Sequence, residues 1–129
     1  MIATNAGVIR MAYDDFANGD IPAVLEVFDT SMTWHVPGHS PLSGDYKGHD
    51  EVVGFFKHTL ARCGGIFVIE VRHVLAEEDV VVALVTVKTE RNGRSAAFPE
   101  VHVWRLANEK VTEFRESQGD EQTEDRFWS

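Results

Sequence analysis

The chain has 129 residues, of which 43% are hydrophobic and 26% charged, which fits one soluble globular domain spanning 1–129 and excludes a disordered chain. Twelve Lys and Arg against 21 Asp and Glu leave a formal charge of −9, the wrong sign for a nucleic-acid partner. The single cysteine, Cys63, excludes an internal disulfide; with no signal-like start in MIATNAGVIRMAYDDF and no run approaching the ~20 apolar residues of a membrane span, the expectation is a cytoplasmic protein with no membrane partner.

Taken in chain order, Ile9, Ala12, Tyr13, Phe16 and Ala17 recur at helical spacing, so residues 4–18 are predicted as an amphipathic helix that Asn18-Gly19 stops. Asp20 caps a second, short helix with Pro22 in its first turn and a stripe of Ile21, Val24, Leu25 and Phe28. MTWHV (32–36) is predicted as a short strand and 39–48 as a loop. A third helix at about 49–63 buries Val52, Phe55, Phe56, Thr59, Leu60 and Cys63. Four strands follow, at 66–75, 80–90, 95–106 and 110–118, with Asn92-Gly93 as a hairpin turn. In the tail 119–129 the acidic run Asp120-Glu121…Glu124-Asp125 is predicted as a solvated face, and the Phe127-Trp128 end as folding back onto the body or a partner subunit. Helices first and long antiparallel strands second make an α+β fold, a curved sheet with three helices on one face, open at one end.

Period-two alternation groups Phe98, Glu100, His102, Trp104 and Leu106 on one face of the third long strand, Phe114, Glu116 and Gln118 on one face of the last, and Thr33 with His35 on the short strand. Aromatics beside isolated ionisable groups suggest a desolvated site, in which a carboxyl group loses hydration and its pKa rises toward neutrality. That suits general acid–base chemistry. Both faces of the third long strand carry apolar residues, so alternation alone leaves two pleats open.

The segments TWHVPGHSPLSGDYKG (33–48) and VTEFRESQGD (111–120) and the closing EDRFW resemble the SnoaL-like group of polyketide cyclases within the NTF2-like superfamily, over nearly the whole chain. The resemblance implies a cone-shaped, mixed or antiparallel sheet with three N-terminal helices enclosing a pocket, and it turns Phe98, Glu100, His102, Trp104, Phe114 and Glu116 inward. It implies His102 and Glu116 as the catalytic pair of a cyclase, with Glu in place of the group's Asp. His35 and Glu100 assist, Glu100 either orienting His102 or serving as the base itself. Thr33, Phe98, Trp104, Phe114 and Gln118 would line the substrate site. The epoxide-hydrolase branch needs Arg and Asp where Val85 and Val87 stand. The steroid-isomerase branch needs a tyrosine where Ala12 stands, although Tyr13 is adjacent. The expected function is cofactor-free, metal-free acid–base chemistry on a small hydrophobic carbonyl compound, an aldol-type cyclisation or a related isomerisation or dehydration. The alternatives are a non-catalytic binder of a lipophilic ligand, an epoxide-hydrolase-like enzyme or an interaction module. A homodimer through the outer sheet face, where Val101 and Val103 point, is the expected assembly.

Overall fold

The computed structural model describes residues 4–129; residues 1–3, with which the stretch read as lacking a signal begins, lie outside it. Thr4 Oγ1 accepts the Gly7 amide at 3.0 Å and starts α1 (Asn5–Ala17). Asp20 does the same for α2 (Ile21–Glu26), accepting from the Ala23 amide at 3.2 Å, with Pro22 in the first turn where its missing N–H costs nothing. The chain then runs through β1 (Phe28–Val36), β2 (Gly44–Lys47), α3 (Gly48–Arg62), β3 (Phe67–Glu77), β4 (Val80–Arg91), β5 (Arg94–Ala107), β6 (Lys110–Gln118) and α4 (Glu121–Trp128).

The strands form one six-stranded sheet in the order β2-β1-β6-β5-β4-β3. All neighbours are antiparallel except β1 and β6, which run parallel, so the sheet is mixed. Asn92 (φ 54°) and Gly93 (φ 76°) both take the left-handed conformation that a two-residue turn between twisted strands requires, as the Asn-Gly pair predicts. Irregularities in register between Val71 and His73 and between Arg105 and Leu106 add local twist, as expected of a sheet that curves around its contents. The core lies between α1, α2, α3 and the concave face, with Ile9, Met32, Val52, Val81, Val111 and Phe114 almost wholly buried. Cys63 is a free, buried thiol in the second half of that core.

Four expectations need correction. Leu60 on α3 is 47% exposed rather than buried. Phe28 belongs to β1, not to the stripe of the second helix, because the chain leaves helical geometry after Glu26 and Phe28 pairs with Val111. Residues 39–48 are not all loop: Gly44–Lys47 form β2, an edge strand on β1. The acidic run is solvated only in part: Asp120 and Glu121 are exposed, but Glu124 is buried. Asp120 caps α4 through the Thr123 amide at 3.1 Å, and the helix turns Glu124, Phe127 and Trp128 inward. Phe127 packs edge-on against Phe98 at 5.3 Å, so the aromatic end folds back onto its own body.

Candidate active site

Pleating places the inward set. On β5, Phe98, Glu100, His102, Trp104 and Leu106 are all buried, whereas Pro99 and Arg105 are exposed. The register sets His102 opposite Glu116 and Trp104 opposite Phe114 on β6. On β1, the parallel register sets Trp34 beside Phe114, and the two rings stack at 3.7 Å. Trp34 is therefore the inward residue of β1. Thr33 and His35 lie on the other face and do not line the pocket, which corrects the expectation for both. His35 instead meets Asp45 at 2.6 Å and Glu113 at 3.5 Å on the outer side of the sheet. The error came from reading polarity as the inward signal on a strand whose buried face is Met32, Trp34 and Val36.

Phe98 is buried under α4 and is not part of the pocket wall, and Gln118 lies just beyond that wall, where its Nε2 donates to Glu116 at 2.7 Å. Glu100, His102, Trp104, Phe114 and Glu116 do line the pocket. Two participants were missed. Tyr13 from α1 places its hydroxyl 2.7 Å from His102 Nδ1 and accepts the Trp104 indole N–H at 3.0 Å. Glu124 from α4 is 2% exposed and hydrogen-bonds to Glu100. Tyr13 carries a sequence signal, its place on the buried stripe of the first helix. Glu124 carries none short of recognising the tail as a helix with Phe127 and Trp128 on the same side.

The hydrogen bonds define a proton order. Tyr13 uses its oxygen to accept from Trp104, so its own proton is free to go to His102 Nδ1. His102 Nε2 then donates to Glu100 at 2.9 Å. Burial holds the imidazole neutral, pushing its pKa down to about 4. Burial, then the charge of Glu116, raises Glu100 well above the ordinary carboxylate range. Burial and the hydrogen bond it gives to Glu100 push Glu124 up to about 11. Burial also raises Glu116, but hydrogen bonds from Gln118 and Glu100 work the other way. Burial raises Glu100, Glu116 and Glu124 alike, so the three neighbouring carboxyl groups titrate as a coupled set that does not carry its full charge at neutral pH.

Tyr13, Glu100, His102 and Glu116 form one wall of a cavity between the sheet, α1 and α3, with Glu124 behind it. The cavity volume is about 70 Å³, room for a few water molecules or a small ligand. The rest of the wall is apolar, with Phe16, Phe28, Trp34, Phe55, Phe56 and Phe67 among it, and Leu60, which is exposed, stands at its edge. Trp34 Nε1 is buried and has no hydrogen-bond partner. Among the described residues, Glu100, His102 and Glu116 offer donor atoms within 4.8 Å of one another, as do His39, Glu121 and Asp125 at the surface. Either trio has the chemistry of a divalent-cation site, but both His102 nitrogens already have partners in the first.

The SnoaL-like domain model matches residues 9–114. The chain belongs to the SnoaL-like family. Its fold is that of the NTF2-like proteins. Bal32a, from a soil-derived mobile gene cassette, is 32% identical, with 97% of this chain and 96% of that one aligned and a TM-score of 0.93. An NTF2-like protein of unknown function from Burkholderia pseudomallei is 27% identical over 99% of each chain, with a TM-score of 0.90. The uncharacterised protein Rv0034 of Mycobacterium tuberculosis is 26% identical over 95% of this chain and 94% of its own. Within this SnoaL-like chain the wall where the epoxide-hydrolase branch places charge is hydrocarbon: Val85 is buried and Val87 lines the cavity. Tyr13 stands one residue along the helix from the position the isomerase branch would need, and its hydroxyl is bonded to His102 and Trp104.

Proposed function

We propose that the protein is a small-molecule enzyme that moves a proton next to the carbonyl group of a compact, hydrophobic substrate, without a cofactor. The observation that carries this is that Glu100, His102 and Glu116 meet on one wall of an otherwise apolar cavity. Glu116 removes the proton from the carbon beside the carbonyl. The unpartnered indole N–H of Trp34 is a free donor for the oxygen that becomes negative. In an aldol closure the resulting carbanion attacks a second carbonyl of the same molecule, and the proton on Glu116 returns to the new alkoxide. In an isomerisation it returns to another carbon. Glu100, His102 and Tyr13 hold Glu116 and its protons in place.

Deuterium incorporation from D2O into the α-carbons of cyclohexanone and 2-indanone, followed by NMR, tests the proposal without knowledge of the natural substrate. Wild-type protein is expected to accelerate exchange, and Glu116→Gln to slow it by about 100-fold or more, the usual range for a general base, with ketone affinity retained. Equal exchange in both proteins contradicts the assignment. Ketone binding with no exchange in either favours a ligand carrier.

We also propose a homodimer through the outer face of the sheet. Val82 pairs with Val103 and Leu84 with Val101 there, a contiguous apolar patch on the convex side. Light scattering is expected to give twice the chain mass, and Val101→Glu to return it to the monomer.

A further inference from the structure

Two tryptophans line the cavity, and they differ in one bond. The Trp104 indole N–H donates to the Tyr13 hydroxyl at 3.0 Å. The Trp34 indole N–H is buried, on a residue only 7% exposed, and has no partner. Among the described residues it is the one unmatched buried side-chain atom that belongs to a residue lining the cavity. An indole nitrogen can only donate, and a buried donor left without an acceptor is costly. The ring is held where it stands, stacked on Phe114 at 3.7 Å and edge-on to Phe56 and Trp104 at 5.3 and 5.8 Å. The donor is therefore fixed in place before a ligand arrives, so a bond to it costs little ordering. Among the described residues no lysine or arginine lines the cavity, and Glu100 and Glu116 share its wall. An anionic acceptor would lose its hydration there and meet no counter-charge.

We infer that Trp34 selects the ligand: the cavity takes an uncharged compound whose carbonyl oxygen accepts the Trp34 indole N–H, and it turns away carboxylates and phosphates. This deepens the function proposed above by naming the residue that decides what enters. It rests on the cavity being a ligand site but not on proton transfer at Glu116. Most of the wall is hydrocarbon and holds a ligand by shape and apolar area, so a single placed donor is what sets the chemistry it prefers. His102 does not compete for the oxygen, because Nδ1 takes the Tyr13 proton and Nε2 donates to Glu100. A carbonyl oxygen is a strong uncharged acceptor, and an alkene of the same shape offers no lone pair at all. A water molecule is the competing partner for the indole. Were it a permanent one, ligand choice would not depend on Trp34.

NMR titration of the full, nitrogen-labelled chain at pH 7 with cyclohexanone and methylenecyclohexane, which share a shape and differ in the oxygen, tests this. The three tryptophans give three indole signals, and the Trp34→Phe variant identifies one by its loss. In wild-type protein cyclohexanone is expected to move the Trp34 indole proton downfield, and further than that of Trp104, while methylenecyclohexane leaves it in place. Trp34→Phe, which keeps a ring against Phe114, is expected to weaken cyclohexanone by about fivefold or more and methylenecyclohexane by less than about twofold. Cyclohexanecarboxylate is expected not to bind. The wild-type shifts carry the test if the variant does not fold. Equal weakening of ketone and alkene overturns the inference. So does ketone binding that leaves the Trp34 signal unmoved, as a permanent water on the indole would give, and so does binding of the carboxylate. No binding of either neutral probe removes the inference together with the cavity as a ligand site. The proposed function is read separately, by deuterium exchange. Exchange that Glu116→Gln slows, with cyclohexanone bound equally by Trp34→Phe and wild type, overturns the inference alone; a Trp34 shift without exchange upholds it and removes the proton transfer.

Discussion

Two histidine–carboxylate arrangements sit on opposite faces of the same sheet. His35 meets Asp45 at 2.6 Å on the convex side, and His102 meets Glu100 at 2.9 Å on the concave side. The shorter contact belongs to the less consequential pair, because the Asp45 side chain is 80% exposed and water competes for both partners. The His102 and Glu100 side chains are each only 5% exposed, so bulk water competes far less and the neighbouring groups govern their protons. Polarity on a strand therefore does not identify a site. What distinguishes the inner cluster is that Tyr13, Trp104, Gln118 and Glu124 are spent on orienting ionisable groups that are dry.

The comparison breaks most severely at the aromatic support of the inner face. Phe114→Ala removes the ring that stacks on Trp34 and touches His102 and Trp104 edge-on, and is expected to lower stability by about 3–5 kcal/mol in urea unfolding. A loss below about 1 kcal/mol would mean that the wall is not close-packed.

Next is Tyr13→Phe, which strips His102 Nδ1 and Trp104 Nε1 of their partner while keeping the ring. A loss of about 1–3 kcal/mol is expected from the orphaned buried groups. On the outer face, His35→Ala is expected to cost less than about 1 kcal/mol and to leave deuterium exchange unchanged. An exchange defect in His35→Ala as large as that in Glu116→Gln would return His35 to the site.

The pH dependence of stability separates the faces further. Glu124 is raised from 4.5 to about 11 in the folded chain, so the folded state holds a proton that the unfolded state has lost; the corresponding stability is complete below pH 4.5 and is lost as pH rises toward 11. Glu100, also raised, adds to that loss. His102 is lowered from 6.5 to about 4, which likewise disfavours its charged form; its contribution is present above pH 6.5 and is lost as pH falls toward 4. Above pH 6.5 the carboxyl groups act alone, so stability should fall with rising pH, by at most about 1.4 kcal/mol per pH unit for each proton involved. Glu124→Gln should flatten that decline in urea melts between pH 7 and 9. An unchanged slope would remove Glu124 from the cluster.

Much of this architecture was legible in the sequence. The strands around Asn92-Gly93 announce themselves through alternation and turn chemistry, and the inward face of β5 follows once one pleat is chosen. β2 escaped because a four-residue edge strand interrupted by glycine carries no periodic signal. The pleat of β1 misleads because His35 supplies the polar signal on the outer face, whereas the buried aromatic Trp34 marks the face toward the cavity. Glu124 escaped for a deeper reason. A carboxyl group in an acidic run is ordinarily solvated, and only its position one helical turn before Phe127 and Trp128 places it under the sheet.

The central claim is that burial keeps the His102 imidazole uncharged and holds the inner carboxyl groups protonated above the ordinary carboxylate range. An NMR titration that follows the His102 ring nitrogens and the side-chain carboxyl carbons of Glu100, Glu116 and Glu124 measures it directly. The account predicts that His102 stays uncharged at pH 5.5 and that Glu124 stays protonated at pH 8. A His102 ring titrating near 6.5, with all three carboxyl groups titrating near 4.5, would contradict it.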